Sequence, residues 1–141
     1  MSRRSMESQV LKGGCLCGKV RYEYAGDITE IAMCHCAQCR RAQGSAFATN
    51  CPVDSRKLSF TGHEHIREYQ SAKNKTRAFC RHCGSPLYSE RSDLPGIKRL
   101  RLGTVESGIS CDNRYHIHTA SKASWYEIDD EFPQFDKGKV V

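Results

Sequence analysis

Apolar and polar residues alternate along this chain in short runs, and a period of two predicts strands. Val20, Tyr22 and Tyr24 interleave with Lys19, Arg21 and Glu23 until Gly26–Asp27 closes the run. Leu58 and Phe60 lead into a Thr-Gly-His turn, and Ile66 to Tyr69 reads as another short strand. Phe79 and Leu87–Tyr88 flank a cysteine-rich turn, and Leu100 and Leu102 alternate with Arg99 and Arg101. His116–Thr119 and Trp125–Ile128 supply the last extended pieces. The helical signal is confined to Ala37–Gln43, with Gly44 placed to end it. Pro52, Pro86, Pro95 and Pro133 fall where a loop or strand edge tolerates them. The pattern predicts a mainly β fold with one short helical turn.

Composition sharpens this. At 141 residues the chain suits one domain, yet only 38% of it is hydrophobic, so a thin core calls for a staple. No stretch approaches the apolar length of a membrane span, and the polar Met1–Val10 segment carries no secretory signal, so a cytoplasmic location is expected. In a reducing compartment nine cysteines read as metal ligands or reactive thiols before disulfides. The net charge of +6 comes from scattered residues (Arg3–Arg4, Arg40–Arg41, Lys73 to Arg77, Lys98 to Arg101), which predicts a solvated surface rather than a nucleic-acid footprint.

Seven of the cysteines form three tight groups: Cys15-Leu-Cys17, Cys34-His-Cys36-Ala-Gln-Cys39 and Cys80-Arg-His-Cys83. Two short cysteine pairs can converge on one zinc ion in a tetrahedral site, with backbone N–H groups of the turns donating to the sulfurs. Such a site is worth about 10–16 kcal/mol, against about 5–15 for a whole domain. If Cys15, Cys17, Cys80 and Cys83 close one site, Cys34, Cys36 and Cys39 remain in a single segment. Three protein ligands with one open position is the pattern of a catalytic zinc. Two other arrangements compete. Cys36 and Cys39 could pair with Cys80 and Cys83 as a zinc ribbon, although the gap is long and Cys15 and Cys17 are then stranded. A redox role for either Cys-x-x-Cys would need a βαβ context that the pattern lacks.

Cys51 and Cys111 stand alone and read as small buried apolar residues. His35 and His82 lie inside the cysteine turns, where a residue between thiolates tends to point away. His116 and His118 are spaced to share one face of a strand, which could border a pocket.

Longer motifs surround these residues. Gly13-Gly14-Cys15-Leu16-Cys17-Gly18-Lys19-Val20-Arg21-Tyr22 resembles the opening motif of the glutathione-dependent formaldehyde-activating family, which also includes centromere protein V. Cys34 to Arg41 with Gly44-Ser45-Ala46-Phe47 is similar to its central motif, and Phe79 to Leu87 to its zinc knuckle. His116-Ile117 and Ser121 to Trp125 resemble its C-terminal signature. The matches run from 13 to 128 in the family's order. They imply a domain over 13–130, between a flexible N-terminal extension (1–12) and a C-terminal tail (131–141).

The resemblance implies stacked antiparallel sheets bridged by zinc, with two ions per chain. It assigns Cys15, Cys17, Cys80 and Cys83 to a structural zinc and Cys34, Cys36 and Cys39 to a catalytic one. The implied activity is that of a carbon–sulfur lyase, joining glutathione or another small thiol to formaldehyde or a related aldehyde. Arg40, Arg41 and Lys122 are candidates to pair with a substrate's carboxylates, from their position near the motifs and the fit of arginine's fork to carboxylate. A non-catalytic zinc module for protein or nucleic acid is the rival reading, and an open metal position argues against it.

Overall fold

The alternating run near Val20 becomes the middle strand of a small sheet in the computed structural model, which describes residues 10–139. That sheet holds β1 (Leu11–Gly14), β2 (Arg21–Tyr24) and β5 (Leu58–Thr61), all antiparallel. Residues 1–9 of the expected flexible extension lie outside the described residues, and Leu11 and Lys12 already belong to β1. The second sheet contains β3 (Ile31–Cys34), β4 (Ala48–Asp54), β6 (Ile66–Ala72), β7 (Lys75–Cys80), β8 (Pro86–Arg91), β9 (Ile97–Arg101) and β10 (Arg114–Ile117). Its spatial order is β10-β3-β4-β9-β8-β7-β6, antiparallel except where β10 runs parallel to β3.

Strand register decides what each face of the large sheet carries. Cys51, Leu100, Tyr88 and Ala78 stand opposite one another across β4, β9, β8 and β7. This apolar row faces the small sheet, and Tyr22, Tyr24 and Leu58 pack with Cys51, Val53 and Leu100. A second cluster joins Cys15 and Val20 to Ala78, Cys80, Leu87 and Tyr88. One residue along each strand, the row Pro52–Arg99–Ser89–Arg77 projects from the opposite face. The large sheet is therefore apolar on one side and cationic on the other.

The predicted helix, α1 (Ala37–Gln43), has the bounds that the sequence suggests. Cys36 caps its first turn, its Sγ accepting from the Cys39 N–H at 3.2 Å. Gly44 ends it in the left-handed region at φ 66°, donating its N–H to the Arg40 carbonyl.

The C-terminal expectations fare differently. Trp125–Ile128 forms no strand: Tyr126 N–H bonds to the Ala123 carbonyl, and Trp125 sits exposed in that turn. β10 stops at Ile117 because His118 adopts φ 57°, which breaks the alternation that would have put His116 and His118 on one face. Residues 133–137 then run beside β10, with the His116 N–H bonded to the Pro133 carbonyl and the Phe135 N–H to the His116 carbonyl.

Candidate metal centres and the adjoining cleft

Cys15 and Cys17 sit in the β1–β2 turn, while Cys80 ends β7 and Cys83 lies in the turn to β8. The two turns meet, and all four sulfurs lie within 4.8 Å of one another. Cys15 and Cys17 Sγ are 3.6 Å apart, and Cys17 and Cys80 Sγ 3.8 Å. A tetrahedron with zinc–sulfur bonds of about 2.3 Å has edges of about 3.8 Å, so the donor set fits that ion in size and softness. Val20 N–H donates to Cys15 Sγ at 3.3 Å and His82 N–H to Cys80 Sγ at 3.4 Å. Ser85 ties the turns together, its Oγ accepting from Leu16 N–H at 2.9 Å and lying 3.2 Å from Cys83 Sγ. The His82 imidazole points away, 2.9 Å from His65.

Cys34, Cys36 and Cys39 form the second group, again with their sulfurs within 4.8 Å. They come from the end of β3, the cap of α1 and its first turn, so one strand–helix junction supplies all three. The ribbon pairing is not formed. Arg77 reaches over from β7, its Nη2 lying 3.6 Å from Cys39 Sγ and 3.0 Å from Gln38 Oε1. Hydrogen bonds from the Cys34 and Cys36 thiols, with Lys75 and Arg77 nearby, pull the Cys39 thiol well below its ordinary range.

His35, fully buried between two of these cysteines, faces the other way. Its Nε2 lies 2.8 Å from His116 Nδ1, and His116 Nε2 lies 3.0 Å from the Asp130 carboxylate. A carboxylate only accepts, so His116 donates through Nε2 and receives the His35 Nε2–H on Nδ1. Burial pushes the His35 pKa down to about 4, keeping the ring neutral against Phe47. This chain braces the cysteine segment from behind, and the sequence reading missed Asp130.

In front of Cys34 and Cys36 opens a cleft of about 550 Å³. Asn50, Lys75, Arg91, Arg99 and Lys139 also line it, with Glu30 as its acidic group. Arg91 is paired with Asp93 at 2.6 Å. Among the described residues, neither Lys75 nor Arg99 lies within ion-pair distance of a carboxylate. The cations picked from sequence stand elsewhere: Arg40 is half-buried on α1, Arg41 is exposed, and the Lys122 ammonium donates to the Ala123 and Tyr126 carbonyls. None of the three lines the cleft.

A family model described as glutathione-dependent formaldehyde-activating enzyme matches residues 10–121. A Schizosaccharomyces pombe protein named uncharacterized lyase C29B12.13 is 32% identical over 132 residues, covering 84% of this chain and 92% of that protein. The crystal structure of a Rhodobacter sphaeroides protein superposes with a TM-score of 0.58 at 27% identity, covering 69% of this chain and 89% of that one.

Proposed function

We propose that this chain, which belongs to the glutathione-dependent formaldehyde-activating family, is a zinc-dependent carbon–sulfur lyase that adds glutathione to formaldehyde or a related aldehyde. The observation that carries the reading is a three-thiol group whose open side meets a cleft with cationic walls. Cys15, Cys17, Cys80 and Cys83 would hold a structural zinc, and Cys34, Cys36 and Cys39 a second. When bound there, the second ion supplies Lewis-acid chemistry, lowering the pKa of a thiol or polarising a carbonyl.

The chain's own residues do the rest. Arg99, with no acidic partner among the described residues, and Lys139 draw in an acidic thiol such as glutathione, whose two carboxylates match such walls. Arg77, 3.6 Å from Cys39 Sγ, stabilises negative charge on that sulfur. The Asp130–His116–His35 chain fixes the backbone that carries Cys34 and Cys36. Holding thiol and aldehyde side by side removes the entropy cost of their encounter.

Exchange NMR at chemical equilibrium tests the activity, because the uncatalysed condensation is itself quick. Interconversion of glutathione, formaldehyde and their adduct is expected to speed up with the protein and to fall to background with Cys36→Ser. Equal rates for wild type and Cys36→Ser across several thiols would remove the reading.

A further inference from the structure

Lys75 and Asn50 line the cleft beside Cys34 and Cys36, and neither has a task in the fold that accounts for its chemistry. Lys75 opens β7 opposite Arg91, whose guanidinium is taken by Asp93. Its half-buried ammonium has no ion-pair partner among the described residues. Asn50, from β4, is 2% exposed, and its Oδ1 has no hydrogen-bond partner among the described residues. One unpaired donor and one unpaired acceptor thus share a cleft with two thiols. They match an oxygen that accepts as a carbonyl and donates as a hydroxyl.

We propose that Lys75 and Asn50 form an aldehyde subsite, an inference that rests on the thiol–aldehyde reading above. The thiolate sulfur attacks the carbonyl carbon, a C–S bond forms, and the C=O π pair moves to oxygen. A proton passes from Lys75 Nζ to that oxygen, and the new hydroxyl donates to Asn50 Oδ1. The amine then takes up the proton that the thiol gave up. One thiol and one aldehyde become one hemithioacetal, with no oxidant or reductant. Arg99 in the same cleft cannot serve, because a guanidinium does not release its proton in a protein. Lys75 touches the reacting oxygen and is a catalytic residue; Asn50 orients that oxygen.

The experiment compares wild type, Lys75→Met, Lys75→Arg and His118→Gln, the last because His118 also lines the cleft. Each is measured for metal content, glutathione affinity by calorimetry, and exchange rate at saturating glutathione. Both Lys75 variants are expected to keep their metal and bind glutathione. Their exchange above background should fall about a hundredfold or more, the usual worth of a positioned proton donor. Lys75→Arg keeps the charge and tests the proton alone, and it carries the test if Lys75→Met fails to fold. His118→Gln, included as the rival proton donor, should keep more exchange than either Lys75 variant. Wild-type exchange in Lys75→Arg would overturn the proposal. So would a Lys75→Met that weakens glutathione binding but exchanges normally at saturation, since Lys75 would then be holding a carboxylate. Loss of exchange in His118→Gln alone would move the proton donor there. If Cys36→Ser drops to background while Lys75→Met stays at the wild-type rate, the subsite fails and the activity stands; wild type at background removes both.

Discussion

Cys51 shows how one residue type serves opposed ends within a single chain. It is fully buried on β4, its Sγ 3.8 Å from the Leu100 carbonyl, and burial pushes its pKa up to about 12. At pH 8 the folded protein therefore holds Cys51 as the thiol, and only the thiolate is alkylated at a useful rate. Iodoacetamide followed by peptide mass spectrometry should leave Cys51 unmodified in the native protein and label it fully in denaturant. Labelling at a free-thiol rate in the native state would contradict this environment. The cysteine groups were legible in the sequence because short spacing brings each set of two or three together through a local turn, whereas the meeting of Cys15 and Cys17 with Cys80 and Cys83 depends on the sheets. The cleft walls were not. Arg40, Arg41 and Lys122 lie near the motifs along the chain, whereas Lys75 and Arg99 reach the cleft from β7 and β9 through strand pairing. The alternation of Arg99 and Arg101 with Leu100 was visible, but what their face meets depends on register.

Among the elements, those with a strong local pattern were read well and those without one were missed. α1 has a cap, a stop and no competing signal. β3 is buried at all four positions, so it shows no alternation, and β4 carries Asn50 and Pro52 in its interior. Pro52 is tolerated because β3 pairs with β4 only from Ala48 to Asn50, leaving that side of the strand open beyond it. Two glycines that end elements make a contrasting pair. Gly44 and Gly62 both have positive φ, at 66° and 82°, but a Cβ on Gly44 would meet nothing within 4 Å. On Gly62 it would lie 1.9 Å from the Lys19 carbonyl oxygen. Gly44→Ala should lose about 1–2 kcal/mol, the cost of a left-handed residue with a Cβ. Gly62→Ala should lose at least twice as much, because the backbone of the β2 approach must also move. Urea unfolding of the two variants measures the difference, and equal losses would mean that the approach relaxes freely.

For the molecule as a whole, the four-thiol group joins the tip of the small sheet to the end of β7 and β8 in the large one. Opening it should cost more than emptying the three-thiol group, which sits at one strand–helix junction. Cys80→Ser is expected to unfold or aggregate the protein, while Cys36→Ser stays folded with one metal ion fewer. Graded chelation with elemental analysis should release the three-thiol ion first, and thermal melts should separate the variants. Equal destabilisation by both would contradict the assigned roles. The same wiring has a consequence in time. The three-thiol set is complete as soon as Cys39 has left the ribosome, whereas Cys17 must wait for Cys80, 63 residues further on. At about 5–20 residues per second that wait lasts some seconds. If both groups hold zinc as proposed, the three-thiol group would meet the ion first on the nascent chain and, by the chelation prediction above, give it up first in the finished protein, so the order of filling would reverse the order of retention.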